Sequence, residues 1–265
     1  MILTALVASV TVETRTQPWF VEFFGADYLL AYEPLLTEER TQDEVAFVER
    51  VLGLRSGQAV LDLCCGPGRH TLLLAKHGIS ATGQDLSERY IENARECAAA
   101  QGLSAQFVRG DMREIPFAAH FDAVINLFTS FGYLETDADN TAVLRAVARA
   151  LKPGGRLLLD TMNLGWVLAN QVPEERHERP DGTVLMERRR FDDAEGRNHV
   201  WFELTPPGGA MRELVGHHVR LYSHDELVSM AADAGLEPTE TYGGFDGSSY
   251  EVGSRRLILV ARKPA

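Results

Sequence analysis

Cysteine, basic residues and long apolar runs are all scarce in this chain, and each shortage narrows what it does. Of 265 residues three are cysteines, Cys64, Cys65 and Cys97, two of them adjacent, and no C-x-x-C pair or paired framework can be drawn from them. A disulfide scaffold is excluded, and a reducing compartment, the cytoplasm, is the expected setting. Lys and Arg number 26 against 38 Asp and Glu, a formal charge of -12, so the mean field repels a phosphate backbone and nucleic acid is not expected as a partner. The apolar opening MILTALVASV is too short to span a bilayer, has no Lys or Arg ahead of it and no convincing cleavage site after it. It reads as a tail or an upstream start, and no membrane partner is expected. No His/Cys/Asp/Glu group has convincing metal-ligand spacing, and neither G-x-S-x-G nor a P-loop occurs, so no metal requirement is expected.

What is present is a regular alternation. Hydrophobic residues make up 45% of the chain, enough to bury the core of one elaborated domain. Apolar residues recur at helical spacing from Glu38 to Leu54, and the run Ala59–Leu63 then turns abruptly into Cys-Cys-Gly-Pro-Gly. The same rhythm predicts a helix at Thr71–His77, a strand at Ser80–Gln84, a helix at Ser87–Gln101, strands at Ala105–Arg109 and Ala123–Leu127, a helix at Asp139–Leu151 and a strand at Arg156–Asp160. Strands separated by helices imply a parallel sheet with right-handed crossovers. After Asp160 the pattern becomes β-rich around Val184–Phe191, His199–Leu204 and Met211–Tyr222, with turn residues between, as in an antiparallel insertion. Helix returns after Ser223, where Glu226 completes a capping box, and Leu257–Ala261 is a last buried strand.

The segment Val60 to His70 lies where the first strand gives way to the first helix, the crevice in which doubly wound sheets bind ligands. Gly66 and Gly68 let backbone approach a ligand closely, and the amides of the following helix point at a carboxylate or phosphate. Cys64 stands where a dinucleotide fingerprint has its first glycine, and Pro67 interrupts the loop, which counts against a nicotinamide oxidoreductase. Asp85 ends the second strand, where a carboxylate can accept from two vicinal ribose hydroxyls, and Ser87 is free to cap the next helix.

Asp62 to Gly68, Asp85, Gly110-Asp111-Met112, Phe121 to Asn126 and Leu151 to Gly155 follow in the order seen in the class I S-adenosylmethionine-dependent methyltransferases, which the chain resembles from about Glu38 to Asp160. The resemblance implies an α/β fold: a doubly wound Rossmann-like seven-stranded sheet with its last strand antiparallel, plus an antiparallel β insertion after the fifth strand. It implies S-adenosylmethionine as cofactor and S-adenosylhomocysteine as product. By the same resemblance Asp62 orders the loop near the methionine moiety, Asp85 holds ribose, and Asp111 and Met112 contact adenine. Cys64, Gly66, Gly68, Leu86, Asn126 and Leu127 complete the cofactor contacts.

More particularly, Trp19-Phe20 and Asp27-Tyr28-Leu-Leu-Ala-Tyr32 resemble the N-terminal segment of bacterial small-molecule methyltransferases of the glycine and amino-sugar N-methyltransferase type. That likeness implies a segment folded over the cofactor, with Tyr28 and Arg40 at its methionine end and Arg40 paired with its carboxylate. The fourth strand ends in Asn126-Leu-Phe-Thr-Ser-Phe-Gly-Tyr133 and lacks the Pro-Pro motif of enzymes that methylate nucleic-acid bases or glutamine side chains. Phe128, Phe131 and Tyr133 are expected to line a small-molecule pocket, with Tyr32, Asp160, Asn163, Arg220 and Tyr222 as further substrate contacts. In the last insertion strand Val215, His217, Val219 and Leu221 share one face and His218, Arg220 and Tyr222 the other, so His217, with Tyr133, is the expected catalytic group.

The chain is thus divided into an N-terminal lid (1–37), a cofactor-binding core (38–160), a β insertion that caps the substrate (161–222) and the rest of the core (223–265). The expected activity is direct in-line methyl transfer to a small-molecule acceptor, N-methylation first and O- or C-methylation second, against a non-catalytic S-adenosylmethionine-binding protein. A homodimer is the assembly to test.

Overall fold

The computed structural model describes residues 18–265; the apolar opening lies outside them. Two short helices, α1 (Trp19–Phe23) and α2 (Ala26–Tyr32), and a 3₁₀ turn at Glu33–Leu35 precede α3 (Glu38–Leu52). Then come β1 (Ala59–Leu63), α4 (Arg69–Lys76), β2 (Ser80–Asp85), α5 (Glu88–Ala100), β3 (Gln106–Arg109), β4 (Phe121–Asn126), α6 (Asp137–Ala150) and β5 (Leu151–Met162). A helix α7 (Leu164–Asn170) leads into four strands, β6 (Glu174–Glu178), β7 (Val184–Asp192), β8 (Arg197–Thr205) and β9 (Arg212–Arg220). The chain closes with α8 (His224–Asp233), β10 (Glu237–Tyr242) and β11 (Arg256–Arg262).

Seven strands form one sheet in the order β10-β11-β5-β4-β1-β2-β3, with β11 antiparallel to both its neighbours, as the sequence implied. The period of two in the strand sequences explains the two cores. Leu61, Leu63, Leu157, Leu159, Leu257 and Leu259 face one layer of helices, while Val60, Leu158, Ile258 and Val260 face the other. The helices start where side chains can satisfy their first amides: Thr37, Ser87, Thr136 and Ser223 each accept from the backbone three residues on. The capping box at Ser223 and Glu226 is complete. No helix among the described residues is long and apolar enough to cross a membrane.

The insertion is a separate antiparallel sheet, β6-β7-β8-β9. Its Leu185, Val200, Phe202, Leu204 and Leu214 bury Phe23 and Tyr28 of α1 and α2, so the N-terminal helices and the insertion form one aromatic-rich layer above the larger sheet's edge. Besides the two helices and the 3₁₀ turn before Glu38, three elements exceed the sequence reading: β6, α7 and β10, whose strands are short and largely polar. The alternation expected along β9 also fails at one point. Val200 pairs with His217 and Phe202 with Leu214, so β9 carries an extra residue, and inward-facing Leu214 takes the place expected for Val215. Gly216 permits this bulge, because a Cβ there would lie 2.2 Å from the Val200 carbonyl oxygen.

Candidate active site

Strand order reverses beside β1, between crossovers running to β2 on one side and β4 on the other. A cavity of about 1060 Å³ opens there, floored by the loops after these strands and roofed by α1, α2 and the second sheet. It has a glycine-loop end and an inserted-sheet end.

At the glycine-loop end the main chain is turned sharply, with Cys64 at φ 63° and Gly68 at φ 86°. Asp85 organises the turn: Oδ2 accepts from the Gly66 amide and Oδ1 from the Ser87 amide, both at 2.9 Å. Burial holds its carboxyl above the usual carboxylate range despite those amides. Asp62, 2% exposed, accepts from the Thr71 hydroxyl at 2.7 Å. Asp111 takes the Arg113 guanidinium on both oxygens, which lowers its pKa, and the Cys64 thiol lies 3.6 Å from the Met112 sulfur. Leu86 and Leu127 complete this wall. Gly68 is a support: it does not line the cavity, and a Cβ on it would stand 2.9 Å from the Phe107 ring.

Between the two ends stands a charged cluster that the sequence reading only half found. Glu44, 2% exposed, accepts from Arg40 Nε at 2.8 Å, Arg69 Nη1 at 2.6 Å and His70 Nε2 at 2.8 Å. Burial raises its carboxyl, but the His70 hydrogen bond and the two guanidinium groups outweigh this and bring it down to about 2. One carboxylate thus faces two guanidiniums, and Arg69 Nη2 is buried without a partner among the described residues. Arg40 and Arg69 both line the cavity, over the Phe128 ring at 4.8 and 5.6 Å. The surplus positive charge suits a carboxylate. Glu44 and Arg69 were missed; their sequence signals were a glutamate four residues after Arg40 and an arginine immediately after the glycine turn. Tyr28 lies close by, its phenol pushed up to about 12 by burial against the pull of Arg69.

The inserted-sheet end is aromatic. Tyr133 packs edge-on to Trp19 at 5.1 Å, and burial holds its phenol well above the usual range. His217 is 8% exposed among Phe23, Trp19, Phe202 and Tyr32, with Nε2 at 2.7 Å from the Tyr32 hydroxyl. Burial lowers its pKa to about 3, so it stays neutral. That burial argues against the expected service of His217 as a proton acceptor, since a base whose pKa is lowered this far is weak at neutral pH. Phe128 and Thr129 at the end of β4 are both left-handed, φ 61°, a costly conformation for a β-branched residue.

Six further residues expected at the site lie elsewhere. Asn126 donates to the Leu63 carbonyl oxygen beneath the loop. Phe131 is in the core against Tyr222, whose hydroxyl donates to Asp137. Arg220 pairs with Glu226 and Asp137. Asn163 caps α7 and donates to the carbonyl oxygens of Glu251, Val252 and Ser254. Asp160, 1% exposed, accepts from Arg256 and from the Phe128 amide at 2.8 Å, while Arg256 also reaches the Thr129 hydroxyl. These polar groups hold the structure together and do not line the cavity.

This chain, with a glycine turn and an acidic strand end beside the cavity, is matched from residue 60 to 155 by the methyltransferase domain family. The chain belongs to the class I S-adenosylmethionine-dependent methyltransferases and is an enzyme that uses that cofactor. It is 30% identical over 205 residues, 74% of this chain and 82% of the relative, to dTDP-3-amino-3,4,6-trideoxy-alpha-D-glucopyranose N,N-dimethyltransferase of Streptomyces venezuelae. It is 28% identical over 209 residues, 78% and 84% of the two chains, to the cypemycin N-terminal methyltransferase of a Streptomyces species. The CcbJ methyltransferase of Streptomyces caelestis shares the fold at a TM-score of 0.79 and 24% identity, covering 91% of this chain and 98% of that one.

Proposed function

We propose that the protein methylates the amine nitrogen of a small, sugar-like acceptor seated at the inserted-sheet end of the cavity. The observation that carries this reading is the chemistry of that wall. Among the described residues lining it, His217 is held neutral, Tyr32 and Tyr133 are held protonated by burial, and Glu175 and Glu187 are bonded to Arg189. A hydroxyl or acidic carbon needs a base there, whereas an amine that arrives neutral needs none. The Streptomyces venezuelae relative is by name an N,N-dimethyltransferase of an amino sugar, and the likeness runs across 82% of its length, well beyond the cofactor-binding part.

In this reading Asp85 accepts from ribose hydroxyls, Asp111 and Met112 flank adenine, and Arg40 with Arg69 receives the amino-acid carboxylate, which supplies the anion the Glu44 cluster lacks. S-adenosylmethionine contributes an electrophilic methyl group on sulfur. The protein aligns the amine with it and removes water from both, with α1 and α2 as a lid and the second sheet as the substrate cap. The test is transfer of labelled methyl to the dTDP-amino sugar of the Streptomyces venezuelae relative and to its hydroxyl counterpart. Transfer to the amine, faster as pH rises and the ammonium form declines, is expected; transfer to the hydroxyl compound alone overturns the reading.

A further inference from the structure

Five polar side chains stand on the face of the second sheet that meets the cavity: Glu175 on β6, Glu187 and Arg189 on β7, Asn198 on β8 and His217 on β9. The first three satisfy one another, Arg189 donating from Nε to Glu187 Oε1 at 2.6 Å and from Nη1 to Glu175 Oε2 at 2.8 Å. His217 spends Nε2 on Tyr32. His217 Nδ1 is also buried without a hydrogen-bond partner among the described residues, but its role depends on the tautomer; Asn198 offers an oxygen that can only accept. Asn198 is 3% exposed, and its side-chain Oδ1 has no hydrogen-bond partner among the described residues.

Its surroundings supply none. Asn198 is directly across from Phe191 on β7 and Val219 on β9, and those two pack with Trp19, Tyr133, Trp166 and Val167. An amide oxygen buried unpaired in such a wall costs stability, and an isosteric apolar side chain would avoid the cost. The place where the oxygen finds a partner is the cavity that the residue lines.

We propose that Asn198 is the acceptor-recognising residue of this enzyme, its side-chain oxygen accepting a hydrogen bond from an N–H or O–H group of the acceptor. The assignment rests on the acceptor being bound at this end of the cavity, as proposed above. It makes the acceptor a donor-bearing polar molecule with an apolar flank, and Asn198 a determinant of specificity, because a site with an unpaired acceptor atom rejects analogues that lack the matching donor.

The test compares wild type with Asn198→Leu, which keeps the shape, and Asn198→Ala, which removes it. Melting temperature without ligand, S-adenosylhomocysteine affinity, and KM and kcat for the dTDP-amino sugar are measured for all three. The expected result is an unchanged or raised melting temperature for Asn198→Leu, S-adenosylhomocysteine affinity within about twofold in both variants, and KM raised at least about tenfold with a smaller change in kcat, as for a lost ground-state contact. A melting temperature lowered by several degrees in both variants shows that the asparagine is bonded within the fold and overturns the proposal. So does an unchanged KM with intact cofactor affinity. If wild type methylates no amine, the amine reading fails by itself, and the melting comparison still decides whether Asn198 is held by the fold.

Discussion

The two ends of the cavity are built on different plans. At the glycine-loop end, groups arrive from the ends of β1, β2, β3 and β4, and the decisive contacts join a carboxylate to the backbone, as Asp85 to the Gly66 and Ser87 amides. At the inserted-sheet end, the groups come from α1, α2, the loop after β4 and strands β6 to β9, far apart in sequence, and meet largely through aromatic faces. Backbone-anchored carboxylates fix a ligand's polar groups in one orientation, whereas an aromatic wall excludes water and leaves recognition to a few side chains. The first end thus suits a ligand whose polar groups do not vary, which in the proposed reading is the cofactor, and the second, proposed to hold the acceptor, suits re-cutting for different shapes.

The largest expected effect breaks the support that both ends share. Asp160→Ala leaves Arg256 without its buried partner and frees Phe128 and Thr129 from their left-handed turn, and should cost about 3–5 kcal/mol in urea unfolding. A loss below about 1 kcal/mol would show that the turn is held by something else. Next comes the charged cluster. The folded-state pKa of Glu44, about 2, lies below its ordinary 4.5, so its contribution is fully present above pH 4.5 and is lost as pH falls toward 2. Over that window wild type should lose about 3 kcal/mol more than Glu44→Gln, at roughly 1.36 kcal/mol per pH unit. Parallel stability curves for the two proteins between pH 5 and 3 would remove Glu44 from the account. The smallest effect sharpens the contrast at the aromatic end. His217→Phe should slow single-turnover methyl transfer less than about tenfold and leave its pH profile in place, since a positioned general base is worth about 10²–10⁴-fold. A profile that loses an ionisation in the variant restores His217 as a base.

How much of this was legible in the sequence follows from the same contrast. The order of strands and helices, the antiparallel last strand and the glycine-loop residues were readable, because strand periodicity and position at a strand end are local properties. Asp160, Asn163, Arg220 and Tyr222 were misread as substrate contacts because a polar residue near a strand end looks the same whether its bonds go to a ligand or to Arg256, Ser254 or Asp137. Asn198 was invisible for the converse reason: a single asparagine in a strand announces nothing until its neighbours prove to be Phe191 and Val219. Glu44 was overlooked as one charge among several on an amphipathic helix, although it points inward.

The bulge in β9 puts the two halves of one strand out of phase. A regular ladder running on from Leu214 would turn Gly216, His218 and Arg220 toward the cavity, bringing a guanidinium into the aromatic wall and taking His217 away from Tyr32. One residue of slack at Val215-Gly216 prevents this, and Gly216 can hold it only because it lacks the atom that would strike the Val200 carbonyl. The chemistry of the inserted-sheet wall is therefore set partly by a residue that does not line the cavity: a methyl group added at position 216 would press on the Val200 carbonyl and strain the bulge that keeps His217 and Val219 turned inward.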